Sequence, residues 1–170
     1  MRSRNCVRWL YRLPENYSYE SGLALPEDRV FCDRDGTVRL IVEREGRITV
    51  TQGYAWNGCS PKFLVLDLLF GTPEGAVHVR TERPKTYYAS LVHDALYQFL
   101  PEGLPMTRRQ ADRIFLDLLE EADFSLARVY WLAVRLFGGF VRRGLRMKRD
   151  WNGTGLSVSE LEPTTESQAA

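Results

Sequence analysis

Histidine is scarce in this chain, with two among 170 residues, and one of them, His93, stands directly before an aspartate in the apolar run SLVHDALYQF (90–99). A charged pair inside a core helix costs several kcal/mol unless hydrogen bonds or a metal satisfy it. In a helix, His93 and Tyr97 share one face, while Asp94 is turned about 100° away and serves a different target. Asp112, in ADRIF, lies in the next helical stretch. Two helices joined by a short loop pack antiparallel, which can bring it opposite His93. A histidine with one nitrogen held by a carboxylate has a fixed tautomer and works as a general base. Asp94 then remains free for a hard cation, which prefers carboxylate and carbonyl oxygens. The plainer alternative is a satisfied core histidine, and spacing alone leaves both open.

Two other chemistries are weaker. Cys59, in NGCS, would be a thiol nucleophile with His93 as its base, but no cationic neighbour can be assigned to it. His78 ahead of His93-Asp94 suggests a metal phosphohydrolase pattern, yet it sits in a polar stretch and its remaining acidic ligand is too close in sequence.

The elements that must position these residues follow from periodicity. Residues 29–52 alternate apolar and polar around Asp35-Gly36 and Glu45-Gly46, which predicts an antiparallel β-meander with two tight turns. GYAWNGCSPK (53–62) interrupts the pattern and is expected to be an ordered loop anchored by Tyr54 and Trp56. From about 86 the apolar steps become three and four, a helical period. Thr107 with Gln110 forms a capping box opening a second helix, and Ser125 can cap a third, running to about 148. The fold class is therefore α+β, a small antiparallel meander followed by three helices. The expected division is an N-terminal extension (1–28), one domain (29–150) and a disordered tail (151–170).

A net charge of +1 gives no bulk attraction for polyanions. Its distribution is less even: Arg128, Arg135, Arg142 and Arg146 fall in the third helical stretch, and no acid occurs between 124 and 149. The seven-residue recurrence of the first three predicts a cationic stripe, either a solvated face or a contact for anionic lipid or nucleic acid. Three widely spaced cysteines make neither a disulfide framework nor a metal site and fit reduced thiols. The N-terminus does not read as a signal peptide, and no stretch reads as a transmembrane span.

The ordered set VHDALYQ, RRQADRIFLDLL and ARVYWLAVRLFG resembles the helical core of phospholipase A2, especially the small bacterial and fungal type. GYAWNGCSP together with SLVHDALYQ resembles an uncharacterised domain family of phages and prophages. The phospholipase resemblance implies that His93 deprotonates the attacking water, that Asp112 holds its ring, and that Tyr97 bonds that carboxylate. It makes Asp94 a Ca2+ ligand, with Asn57, Gly58 and nearby carbonyls standing where the secreted enzymes have their glycine-rich calcium loop, which is absent here along with their disulfides. The implied function is a cation-dependent lipid ester hydrolase acting in a bacterial cytoplasm or phage virion. The alternatives are a non-catalytic module contacting virion or host proteins, and a nucleic-acid contact protein.

Overall fold

Between residues 29 and 50 the chain reverses at two glycines in left-handed conformation, Gly36 (φ +77°) and Gly46 (φ +92°). The computed structural model describes residues 9–58, 77–78 and 81–136, and the backbone alone of 155–157. Its strands, in chain order, are β1 (Tyr11–Arg12), β2 (Tyr17–Glu20), β3 (Arg29–Cys32), β4 (Val38–Val42), β5 (Arg47–Val50), β6 (Ala55–Trp56) and β7 (Gly155–Ser157). Helices α1 (Tyr87–Phe99), α2 (Arg108–Glu121) and α3 (residues 127–136) complete an α+β fold. A turn of 3-10 helix, Leu100–Glu102, follows α1.

The predicted meander is β3-β4-β5, the centre of a five-stranded antiparallel sheet of order β2-β5-β4-β3-β7. Asp33 locks the first turn: its Oδ1 accepts from the N–H groups of Asp35 (3.1 Å) and Thr37 (3.0 Å), and its Oδ2 from Arg39 Nε (2.8 Å). Phe31, Leu40, Val42, Ile48 and Val50 are buried, and the sheet packs on α1, where the rings of Phe31 and Phe99 stand 5.0 Å apart. Helix α2 covers another side of α1. Ten of the thirteen α1 residues are consequently buried, leaving Tyr88, Asp94 and Gln98 partly exposed.

Two boundaries differ from expectation. Residues 11–20 belong to the sheets: β2 pairs with β5, setting Tyr17 opposite Val50, and β1 pairs with β6, setting Tyr11 opposite Trp56. The expected tail contributes β7, which pairs with the outer edge of β3; an open edge offers backbone groups that bond a strand of any composition. The capping box of Thr107 and Gln110 is present. The third helix begins at 127, and its expected reach to about 148 lies outside the described residues. No helix among the described residues is long and apolar enough to cross a membrane.

The two turn glycines carry different loads. A Cβ at Gly36 would meet nothing within 4 Å, whereas one at Gly46 would stand 2.3 Å from the backbone oxygen of Leu23. Gly36→Ala should therefore cost about 1–2 kcal/mol for its left-handed backbone alone, and Gly46→Ala distinctly more, because main chain must move. Urea midpoints of the two variants test this, and equal losses would contradict it.

Candidate functional site

The polar residues of α1 sit on two neighbouring faces, each met by a different element. His93 and Tyr97 face α2. There the Asp112 side chain has no exposed surface, and that of His93 is 8% exposed. His93 Nε2 lies 3.2 Å from Asp112 Oδ1, and the Tyr97 hydroxyl donates to the same oxygen. On the other carboxylate oxygen, Oδ2, Arg135 Nη1 donates from α3 at 2.9 Å. Arg108, one turn before Asp112, donates from Nε to the Tyr97 oxygen (2.8 Å) and from Nη2 to the carbonyls of Val134 (2.9 Å) and Arg135 (2.8 Å). His93 meets Asp112 while Tyr97 meets Arg108, so α1 and α2 run antiparallel, as their short connection predicts.

The electrostatics follow from burial and these bonds. Burial alone would raise Asp112, but hydrogen bonds from His93, Tyr97 and Arg135 outweigh it and hold the carboxyl below its usual range. Burial lowers His93, against the opposing pull of Asp112. The ring is therefore neutral near pH 7 beside an ionised carboxylate. Its Nε2 carries the proton donated to Asp112, and its Nδ1 carries a lone pair with no hydrogen-bond partner among the described residues. Burial, then Asp112, push the Tyr97 hydroxyl up, keeping it a donor.

The second face carries Asp94 and Gln98, one turn apart. It meets Tyr54 and Trp56. The Tyr54 hydroxyl donates to Gln98 Oε1 (2.9 Å), and Trp56 Nε1 donates to Ser90 Oγ (3.2 Å), so both aromatic anchors fasten their segment along α1. Asp94 makes no hydrogen bond to a described residue, and burial pushes its carboxyl up to about 7. Asn57 does not turn to it: Asn57 Oδ1 accepts from Leu10 N–H at 3.2 Å. Gly58 is buried with φ +77°, and 59–60 lie outside the described residues. As a cation site this fits in part. Asp94 offers one hard ligand, Asn57 is committed elsewhere, and further oxygens would have to be carbonyls or water.

The cationic stripe divides. Arg135 points inward to Asp112, because a buried carboxylate attracts a guanidinium more strongly than solvent does. Arg128 stays exposed, 3.6 Å from Glu120. Arg142 and Arg146 lie outside the described residues, as do Cys6 and Cys59; Cys32 is free and buried. His78 lines a recess of about 140 Å³ with Tyr17, Lys85, Tyr88 and Glu121 among others, and neither His93 nor Asp112 belongs to that lining. Sequence reasoning passed over Arg108, although its four-residue spacing to Asp112 is a signal for a helical ion pair. Nothing local marks Arg135 as its second partner.

A protein-family profile described as "Protein of unknown function (DUF1353)" matches residues 40–134, more than half of the chain. The match takes in both faces of α1 and all of α2, and stops one residue short of Arg135. No curated protein and no solved structure matches the chain.

The opposite shifts of neighbouring groups set a pH signature. Asp94 is raised, so the stability it contributes is present below its unfolded value near 3.9 and is lost as pH rises through about 7. His93 and Asp112 are lowered, so theirs is present at neutral pH and is lost as pH falls below their unfolded values, near 6.5 and 3.9. Asp94→Asn should therefore melt higher than the parent at pH 8, by roughly 5 °C, with the gain vanishing toward pH 4. Scanning calorimetry across that range checks the sign, and a variant less stable at pH 8 would refute the reading.

Proposed function

Because this chain belongs to the DUF1353 family, whose matched region holds His93, Asp94, Tyr97 and Asp112, we propose that it is a carboxylic ester hydrolase acting on lipids, phospholipase A2-like in its helical core and carried by phages or prophages. One observation supports this above the others: a neutral imidazole with Nε2 on a buried carboxylate and Nδ1 left without a described partner. That is the arrangement of a general base. His93 Nδ1 takes a proton from water as the water oxygen adds to the ester carbonyl carbon. The C–O bond to the alcohol then breaks, and the imidazolium returns the proton to the leaving oxygen, giving a carboxylic acid and an alcohol. Asp112 holds the tautomer and stabilises the imidazolium, Tyr97 and Arg135 orient Asp112, and Arg108 orients Tyr97. Asp94 would hold a hard divalent cation such as Ca2+, which when bound supplies Lewis-acid polarisation of the carbonyl. The proposed setting is a bacterial cytoplasm or a virion.

A second reading rests on Arg108 and Arg135. They tie Asp112 and Tyr97 to α3, as a non-catalytic phage module would require for stability alone.

Fatty-acid release from phosphatidylcholine vesicles separates the two. In the hydrolase, His93→Ala should lower the rate at least about 10²-fold and Asp112→Asn by about 10²–10⁴-fold, with circular dichroism confirming that each variant is folded. Millimolar Ca2+ should raise the melting temperature of the parent by mass action but not that of Asp94→Asn. A parent without hydrolytic activity on any lipid ester, with His93→Ala lowering stability alone, would establish the structural reading.

A further inference from the structure

Helix α3 presents an apolar stripe to solvent. Val129, Leu132 and Leu136 are 46%, 51% and 62% exposed, and their steps of three and four align them over two turns. The fold does not need them. Ala127, Ala133 and Val134 are buried on the other side, with Tyr130 and Trp131 packed partly against the core. A solvent-facing helix stripe is ordinarily polar, and a contiguous exposed apolar one marks a contact surface.

The surrounding charge selects what covers it. Arg128, next to Val129, is 86% exposed, and its 3.6 Å contact with Glu120 joins two solvated groups, a weak pairing readily given up. From Phe124 to Arg149 the sequence holds seven Arg or Lys and no Asp or Glu. Aliphatic residues in a stripe beside cations fit a helix lying in the headgroup layer of an anionic membrane. A nucleic-acid backbone would engage the cations but leave the aliphatics wet. A second copy of this chain would bring two cationic helices together.

We propose that α3 seats this protein on an anionic lipid surface, with Val129, Leu132 and Leu136 at the acyl boundary and Arg128 at the lipid phosphates. The contact is independent of hydrolysis, so it is tested on the full-length His93→Ala protein, which leaves the lipid intact. Co-sedimentation should show binding to phosphatidylserine-containing vesicles, about ten-fold or more weaker binding to pure phosphatidylcholine, and release as salt shortens the screening length. Adding Leu132→Asp should reduce binding by about ten-fold or more while leaving the melting temperature unchanged, since Leu132 faces solvent. Three results would overturn the proposal: protein remaining in the supernatant with anionic vesicles, Leu132→Asp binding as well as its parent, or a lipid-free dimer in sedimentation velocity that Leu132→Asp dissociates.

Discussion

Asp112 is a carboxylate with no exposed surface, and the helical half of the molecule is arranged to make that tolerable. Removing an ion from water costs several kcal/mol even after relaxation, and only well-aligned donors offset it. Here they come from two helices, His93 and Tyr97 on α1 and Arg135 on α3, and Arg108 of α2 adds its charge 3.7 Å from Asp112 Oδ2 while bonding the Tyr97 hydroxyl oxygen. Arg108 also reaches two carbonyls of α3, so the network fixes α3 against α2 as well as α1 against both. Truncating any member leaves another buried charge or dipole exposed to a low-dielectric surrounding, which is why such networks respond as units.

That constraint explains the state of His93. Its ring packs between Tyr97, at 4.1 Å between centroids, and Phe115, at 4.8 Å. Apolar walls disfavour the imidazolium, while the carboxylate keeps the ring oriented and its proton on one nitrogen. A charge-stabilised partner beside an uncharged base is what proton abstraction needs, and it arises from packing that the fold requires in any case.

Asp94, the next residue, experiences the reverse. The residue keeps some exposed surface, but its carboxyl is desolvated without a hydrogen-bonding partner among the described residues, and the cost of its charge appears as a carboxyl raised to about 7. Beside it Gln98 keeps a buried Nε2 without a partner among the described residues, while its oxygen serves Tyr54. One helix thus carries an ionised, fully bonded carboxylate partner on one face and a carboxyl without a described partner on another, about 100° apart. Perturbed and unpaired groups of this kind concentrate where proteins bind or react, because a merely structural site would be relieved of their cost.

The sequence by itself determined whatever depends on neighbours a few residues away. Alternation around two glycine turns specified the meander, the three- and four-residue steps specified α1 and α2, and Thr107 with Gln110 marked the start of α2. His93 and Tyr97 shared a face by spacing, and a short connection placed Asp112 opposite them. Only the tertiary structure decided which distant groups arrive at a given polar atom. Arg135 reaches Asp112 across 23 residues, and Asn57 spends its oxygen on Leu10 across 47. Strand β1 has only two residues, and β2 lies outside the meander whose turns the sequence marks; both are defined by their pairing with β6 and β5. Periodicity reports the direction in which a side chain points relative to its own element. The partner it meets there depends on how elements pack, and a buried charge captures the nearest strong donor whatever that donor's place in the chain.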